Sequence, residues 1–244
     1  MLHALKAHWI AATCVVFVLL NAVLVAHEIY WLNALPAVLL VAWAMLTAVD
    51  KLVLFIAFAT PLSINLEELD LGGIGIALPT EPLMVGLMLL FLLKLVLERD
   101  VIDPQVWRHP ITMVIVMQLI WMLVCIVPSS MPMVSFKYFV ARLWFVSTMF
   151  FLGTRLFRDE RNWHRFGWAY LAGMSIVIVY TLIHHAQFHF EHDPAHWVMS
   201  PFFKDHTSYG ALIAFFIPFA AMATFFPGYS RTRRGLAGLV LALL

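Results

Sequence analysis

The stretch that decides the fold is FGWAYLAGMSIVIVYTLI, residues 166–183, which contains no charged side chain. A run of about 20 apolar residues is long enough for a helix to cross the hydrocarbon layer of a bilayer. Hydrophobic residues make up 63% of the 244 positions and charged residues 12%, whereas a soluble domain carries roughly 25% charge. The runs are continuous rather than alternating, so they predict membrane-spanning helices in contact with lipid, not a barrel of strands.

Uncharged or nearly uncharged runs predict an all-α bundle of eight complete spans. They lie at 9–26, 29–49, 52–66, 82–98, 110–128, 137–156, 166–183 and 207–227. A ninth run opens at Gly235 and is still apolar at Leu244, so we expect a chain truncated at its C-terminus. No repeat or long linker divides the sequence. It therefore predicts one transmembrane domain over 1–244, the N-terminal part of a larger domain.

The distribution of basic residues predicts the orientation. With a cytoplasmic N-terminus, twelve of the 15 basic residues fall on the cytoplasmic side and only Lys137, Arg142 and Lys204 fall on the other, so the sequence predicts that the N-terminus is cytoplasmic. The net charge of +1 leaves no basic surface for a nucleic-acid partner. Both cysteines, Cys14 and Cys125, fall within apolar runs, so we predict no disulfide bond.

The most polar stretch is the loop 184–206, which holds six of the eleven histidines. His185, His189, His192 and His196 are spaced four, three and four apart, which would put them on one face of a helix able to bind a metal. Pro194 interrupts that helix. A hydrated interfacial loop explains the same residues and is favoured, so the sequence predicts no metal site.

A second polar feature is SPFFKDHTSYGALIAFFIPFA, residues 200–220, where a turn runs directly into a helix. Asp205 or Thr207 can cap the first N–H groups of that helix. Lys204 and His206 would then lie beside the positive end of its dipole, an arrangement that attracts phosphate. A plain cap with an interfacial lysine and histidine is the alternative interpretation.

Arg142 lies five residues inside the predicted sixth helix, where a cation needs a partner or water. We expect its side chain to face the protein interior and to bind an anionic group, with snorkelling to the headgroups as the alternative.

The segment NLEELDLGGIGIALPTEP, residues 65–82, combines carboxylates with glycines. No strand is predicted before the glycines, so a nucleotide-binding loop is disfavoured. A solvated loop is the preferred interpretation for Glu67, Glu68, Asp70, Gly72, Gly73 and Gly75.

Three segments, TPLSINLEELDLGGIGIALPTEP (60–82), SFKYFVARLWFV (135–146) and SPFFKDHTSYGALIAFFIP (200–218), resemble the O-antigen ligase and O-antigen polymerase family. The resemblance implies a glycosyltransferase of lipopolysaccharide or related polysaccharide biosynthesis in the bacterial inner membrane. It implies an undecaprenyl-diphosphate-linked glycan as donor, a glycan or the lipid A core as acceptor, transfer at the periplasmic face and no cofactor.

The same resemblance implies a site for the donor diphosphate. Its residues would be Lys204, Asp205, His206, Tyr209 and Arg142. The catalytic residue is expected beyond Leu244, so the fragment alone is expected to be inactive. Two rival functions are a transporter or flippase for a lipid-linked or anionic substrate and a structural subunit without chemistry.

Overall fold

The computed structural model describes residues 2–29, 31–65, 76–98 and 101–243. The chain forms two compact units, residues 1–47 and 48–244. The described residues are overwhelmingly helical, which confirms the predicted all-α class. Their β-structure is one short antiparallel pair, β1 (Ile64–Asn65) with β2 (Ala77–Leu78), in which Ile64 is opposite Leu78.

The first unit contains helix α1 (Leu2–Ala26), a 3-10 turn (Trp31–Ala34) and helix α2 (Leu35–Thr47). The backbone of Glu28 has a φ of 62° just after α1, a left-handed conformation that a continuing helix does not contain. The Asn21 amide donates to the side-chain oxygen of Asn33 over 2.7 Å, which ties α1 to the turn.

The second unit begins with α3 and builds a bundle around α9. Its helices are α3 (Val49–Ala59), α4 (Thr80–Leu97), α5 (Pro104–Trp107), α6 (Pro110–Ile126), α7 (Pro132–Phe145), α8 (Gly153–Leu156), α9 (Glu160–Gln187), α10 (His206–Phe225) and α11 (Arg231–Leu243). A π-helical segment, Val146–Leu152, joins α7 to α8. Short 3-10 turns lie at Thr60–Leu62 and Pro194–His196.

The prediction of eight complete spans and the start of a ninth is wrong. In the described part of the chain, four helical stretches are long and apolar enough to cross a membrane, and they are Thr80–Leu97, Pro132–Leu156, Glu160–Gln187 and His206–Phe225. Shorter apolar stretches at Cys14–Ala26, Val38–Thr47 and Pro110–Ile126 have 10–17 residues.

For the runs 29–49 and 52–66 the prediction failed because an apolar run need not be one continuous helix. The run 29–49 contains a 3-10 turn, and its α-helix has only 13 residues. In the run 52–66 the helix ends at Ala59, and Pro61 lies in a 3-10 turn that leads into β1. Proline lacks an N–H group and breaks the helical hydrogen-bond pattern. The run that begins at Gly235 belongs to α11, a 13-residue helix in which three of the first four residues are arginines.

Capping residues explain where several helices begin. The Asp103 carboxylate accepts a hydrogen bond from the N–H of Gln105 over 2.8 Å at the start of α5. The Asp159 carboxylate accepts from the N–H of Arg161 over 3.0 Å at the start of α9. Each carboxylate satisfies a backbone donor that has no partner within the helix.

Helix α9 forms the centre of the bundle, with Leu171, Met174, Val177 and Ile178 almost completely buried. Gly173 allows α3 to approach closely, because a Cβ atom there would lie 2.1 Å from the carbonyl oxygen of Phe58.

On another side of α9, the ring of Tyr170 stacks on that of Phe216 with centroids 4.2 Å apart. Farther along α9, Tyr180 contacts Phe202, which lies just before α10. Because a later residue of α9 contacts an earlier residue of the following chain, α9 and α10 run antiparallel.

Helix α4 runs parallel to α7 and the π-helical segment. The Thr148 hydroxyl donates to the carbonyl oxygen of Met84 over 3.4 Å, and farther along both chains Phe91 stacks on Phe151. The starts of α4 and α7 and the end of α9 therefore share one end of the bundle with the start of α10. Arginines 155, 158, 161, 165, 231, 233 and 234 lie at the opposite end, which we call the basic end.

Candidate functional site

A cavity of about 510 Å³ opens in the second unit between α3, α4, α7, α9 and the turn before α10. We call it the polar cavity because hydroxyl, amide, ammonium and carboxylate groups line it together with apolar side chains. Its lining residues are Ala57, Thr60, Ser63, Asn65, Ala77, Thr80, Glu81, Met84, Phe145, Met149, Phe166, Tyr170, Pro201, Phe202 and Lys204.

One wall of the polar cavity is built where α3 ends and α4 begins. The Ser63 and Thr80 hydroxyl oxygens are 2.7 Å apart and share a hydrogen bond. The Thr60 hydroxyl donates to the carbonyl oxygen of Ile56 over 2.7 Å. The N–H of Ala77 donates to Oε2 of Glu81 over 3.2 Å, which leaves the second carboxylate oxygen of Glu81 without a protein donor among the described residues. These bonds fix the polar groups on short, well-packed segments.

Two opposite charges line the polar cavity without neutralising each other. Lys204 forms neither an ion pair nor a hydrogen bond with any described residue, and Glu81 forms no ion pair in the same part of the chain. Tyr170 also lines the cavity, and its ring stacks on that of Phe216. A ligand in this cavity therefore meets a cation, a carboxylate and several hydroxyl groups within an otherwise apolar wall.

Of the five predicted diphosphate-site residues, the structure places Lys204 in the polar cavity. Asp205 has the predicted capping role, because its carboxylate accepts from the N–H of Ser208 over 2.8 Å at the start of α10. That backbone N–H is the main cause that holds the pKa of Asp205 below its usual value of 3.8, and the Ser208 hydroxyl also lowers it. The cap fixes the start of α10 directly after Lys204.

His206 and Tyr209 lie near Lys204 but outside the cavity lining. His206 pairs with His196, with their Nδ1 atoms 3.2 Å apart and their ring centroids 4.5 Å apart. One imidazole of such a pair donates and the other accepts. Tyr209 is half-buried and packs against Phe203, with ring centroids 5.4 Å apart. Both residues shape the turn that carries Lys204.

Arg142 is exposed and does not face the interior, contrary to expectation. Helix α7 begins at Pro132, earlier than predicted, so Arg142 lies in its third turn. Its guanidinium donates to Oε1 of Gln118 on α6 over 3.2 Å. The Gln118 side chain thus accepts one hydrogen bond of the Arg142 guanidinium where α6 packs against α7. Arg142 does not line the polar cavity.

The histidine-rich loop is ordered by hydrogen bonds to its own backbone. Helix α9 continues to Gln187 and so includes His184 and His185. The His184 Nδ1 atom is 2.9 Å from the carbonyl oxygen of Val198, and the His185 Nε2 atom is 2.8 Å from that of Glu191. These contacts give two of the histidines a structural role.

The four-histidine helix does not form. The left-handed backbone of His189 and Phe190 follows α9, and Pro194 starts a 3-10 turn. Among the described residues, no group of three or more His, Cys, Asp or Glu side chains is placed to hold a metal ion.

Glu81 and Tyr170 are the functional candidates that the sequence interpretation missed. Glu81 belongs to the segment 65–82 itself, and the signal that could have found it is its position in the first turn of α4. Tyr170 lies in an uncharged run and gives no local signal. The acidic and glycine residues of the loop, Glu67, Glu68, Asp70, Gly72, Gly73 and Gly75, lie outside the described residues.

A comparison with known protein families, with curated proteins and with solved structures finds no match for this chain. The structure itself therefore carries the functional argument.

Proposed function

We propose that this protein is a membrane glycosyltransferase that transfers or polymerises an undecaprenyl-diphosphate-linked glycan. The observation that carries the proposal is the polar cavity, where Lys204 and Glu81 face one space without forming an ion pair in the described part of the chain. Transfer from a diphosphate needs positive charge at the leaving group and a proton acceptor at the attacking hydroxyl. The cavity contains both groups.

Lys204 has the role of the diphosphate ligand. It precedes α10, whose first N–H groups carry the positive end of the helix dipole. The Asp205 carboxylate already accepts from the N–H of Ser208 at this helix start, so a phosphate beside Lys204 would be held by the ammonium group, for which no described carboxylate competes. Such a fixed positive environment stabilises the charge that develops on a departing diphosphate.

The apolar part of the cavity suits a lipid-linked donor. Met84, Phe145, Met149 and Phe202 line it together with the polar groups. Two of the helices that surround it, α4 and α9, are long and apolar enough to cross a membrane. A polyprenyl chain can thus remain among apolar side chains while the diphosphate reaches Lys204.

In this proposal Glu81 has the role of the general base, in place of the residue that the resemblance to O-antigen ligases would put beyond Leu244. An acceptor hydroxyl attacks the anomeric carbon of the donor sugar, a new glycosidic C–O bond forms, and the C–O bond to the diphosphate breaks. The hydroxyl proton moves to the carboxylate of Glu81, and undecaprenyl diphosphate leaves as an anion near Lys204. The hydroxyl groups of the Ser63–Thr80 pair offer hydrogen-bonding partners to the sugars.

Charge supports a periplasmic location of this reaction in a bacterial inner membrane. Basic residues of membrane proteins concentrate on the cytoplasmic side, and the arginines named above cluster at the basic end of the bundle. Lys204 and the starts of α4 and α10 lie at the other end. The proposed cavity mouth therefore faces the periplasm, where an acceptor glycan or lipid A core is available.

The test is a chromosomal substitution Lys204→Gln in cells that make the natural protein at its normal level. We expect loss of high-molecular-weight surface glycan on gels together with accumulation of the lipid-linked donor. Lys137→Gln is the matched control, because Lys137 is an exposed lysine of α7 that does not line the cavity. Normal glycan in Lys204→Gln would contradict the proposal. Donor that accumulates on the cytoplasmic side of the membrane would favour a flippase instead.

A further inference from the structure

A second cavity, of about 560 Å³, lies at the basic end of the bundle, between the start of α9 and the start of α11. We call it the arginine pocket. Its lining residues are Arg161, His164, Arg165, Trp168, Tyr229, Arg233 and Leu236. We propose that the arginine pocket binds the phosphate headgroup of an anionic membrane phospholipid. This inference does not depend on the proposed transferase activity.

The charge of the arginine pocket has one sign. Three guanidinium groups line it, and no carboxylate is among its lining residues. Arg165 donates to Oδ1 of Asn162 over 3.2 Å, a neutral partner that leaves its charge in place. The guanidinium groups of Arg161 and Arg233 have no hydrogen-bond or ion-pair partner in the described part of the chain. Like charges held together without a counter-ion repel each other, so an anion bound there would be stabilising.

The wall behind these arginines is rigid and aromatic. The Tyr229 hydroxyl is 2.5 Å from Nδ1 of His164, and the rings of Trp168 and Tyr229 have centroids 6.1 Å apart. The Arg234 guanidinium donates to the carbonyl oxygen of Thr224 over 2.9 Å, which fastens the start of α11 to the last turn of α10. The positions of the arginines on α9 and α11 are therefore fixed relative to each other.

The surroundings favour a lipid over a soluble phosphate. The pocket lies at the start of α9 and just past the end of α10, and both helices are candidate membrane spans. The ends of membrane-spanning helices lie at the level of the lipid headgroups. Leu236 lines the pocket and is 52% exposed, and Leu239 is 60% exposed one turn farther along α11. Trp163, 59% exposed beside the pocket, is of the type that anchors helices at the interface. A bound phosphate would thus have acyl chains beside an uncovered apolar helix face.

Basic pockets at the ends of membrane helices recognise anionic headgroups through the same chemistry. Guanidinium groups bind phosphate oxygens in a bidentate manner, which a zwitterionic headgroup with its own ammonium partly opposes. The expected discrimination is therefore between lipids that differ in headgroup charge and have identical acyl chains.

The experiment measures lipid binding to the purified full-length protein by native mass spectrometry or by fluorescence titration in detergent. The probes are dioleoylphosphatidylglycerol and dioleoylphosphatidylcholine. We expect the anionic lipid to bind at least about tenfold more tightly, and the double variant Arg161→Gln/Arg233→Gln to lower its affinity by about thirtyfold, at roughly a factor of five per charge. The affinity for phosphatidylcholine stays the same.

The matched control is Arg231→Gln, which removes the same charge from α11 two residues before Arg233 and does not line the pocket. It is expected to change the affinity by less than about threefold, a loss consistent with long-range attraction alone. The charge-conserving variant Arg161→Lys/Arg233→Lys is expected to bind better than the double glutamine variant. Circular dichroism checks that each variant is folded.

Three results would overturn the proposal. The first is equal binding of the two lipids by the natural protein. The second is a loss in Arg231→Gln or in the double lysine variant as large as in the double glutamine variant. The third is displacement of most of the phosphatidylglycerol by glycerol phosphate at an equal concentration, which would assign the pocket to a soluble phosphate ester.

Discussion

The polar cavity and the arginine pocket have similar volumes, about 510 and 560 Å³, but different charged groups line them. The polar cavity contains an ammonium group, a carboxylate and several hydroxyls, whereas the arginine pocket contains three guanidinium groups and no lining carboxylate. A group-transfer reaction needs positive charge and a proton acceptor in one place. A static anion needs positive charge alone. The two proposals differ accordingly, with glycan transfer proposed at one end of the bundle and binding of a lipid headgroup at the other.

The largest effect is expected when the carboxylate is removed from the polar cavity. We expect Glu81→Gln to lower kcat for glycan transfer by at least about 100-fold, because a general base contributes roughly that much or more. Donor affinity should change by less than about threefold, since Lys204 remains. The measurement is transfer from undecaprenyl-diphosphate-linked glycan in proteoliposomes that contain the full-length protein.

The matched control for this variant is Glu98→Gln at the other end of α4. Glu98 is exposed and lies 3.7 Å from the ammonium group of Lys94. Surface ion pairs of this kind contribute little to stability, so the control is expected to retain kcat. An equal loss of kcat in both variants would contradict the role of Glu81 as the base.

A second prediction concerns the packing that shapes the polar cavity. We expect Gly173→Ala to destabilise the protein by about 2 kcal/mol, because the new Cβ atom would lie 2.1 Å from the backbone oxygen of Phe58 and 2.9 Å from Cγ of Pro61. Neither neighbour is the end of a flexible side chain. The variant should also lower transfer activity, because Thr60 next to Pro61 lines the cavity.

Gly210→Ala provides the control for this steric effect. A Cβ atom at Gly210 in α10 meets nothing within 4 Å. Alanine is a better helix former than glycine, so this variant is expected to be as stable as the natural protein or slightly more stable. Thermal unfolding in detergent measures both variants. Equal melting temperatures would show that α3 and α9 do not pack as closely as described.

Helix α9 and the segment 52–66 show what a sequence pattern can predict. The uncharged run 166–183 became one long helix, since nothing within it interrupts the backbone hydrogen bonds. The run 52–66 looked equally apolar, but Pro61 and the pairing of β1 with β2 ended its helix at Ala59. Apolar composition predicted helix at the start of both segments. It predicted a span only where no turn intervened.

The candidate site was only partly predictable for a related reason. The cap at Asp205 and the position of Lys204 beside α10 follow from neighbouring residues, so local patterns reveal them. The meeting of Lys204 with Glu81 and Tyr170 joins segments more than 30 residues apart, which only the packing of the bundle brings together. The neutral partner of Arg142, Gln118, belongs to another helix and was hidden for the same reason.

Arg142 offers a third and smaller test of the comparison. The resemblance to O-antigen ligases predicts that Arg142 binds the donor diphosphate, whereas its position beside Gln118 predicts only helix packing. If the polar cavity alone binds the donor, Arg142→Gln lowers transfer by less than about threefold, comparable to the loss of a neutral hydrogen bond. Surface-glycan gels compare it with Lys204→Gln. A loss as large as in Lys204→Gln would extend the donor site to α7.

The smallest expected effect concerns the cap of α10. Asp205→Ala is expected to lower the melting temperature by about 2 °C at neutral pH, because the N–H of Ser208 loses its acceptor. Asp205→Asn keeps a capping oxygen and serves as the control.

The pH dependence of this effect has a definite sign. Because the folded protein holds the pKa of Asp205 below its unfolded value, the charged carboxylate stabilises the fold above about pH 4, and this contribution is lost as the pH falls through the folded pKa. The difference between the natural protein and Asp205→Ala should therefore shrink in acid. A difference that grows below pH 4, in melts followed by circular dichroism, would contradict the cap.

We propose that the polar cavity binds a lipid-linked diphosphate through Lys204. A titration of the purified full-length protein with undecaprenyl diphosphate measures this binding, with Lys204→Gln and Lys137→Gln compared under the same conditions. We predict that Lys204→Gln weakens binding by about tenfold or more, as expected for a charge-assisted contact to phosphate, while Lys137→Gln binds like the natural protein. Equal affinity in all three proteins would contradict the account.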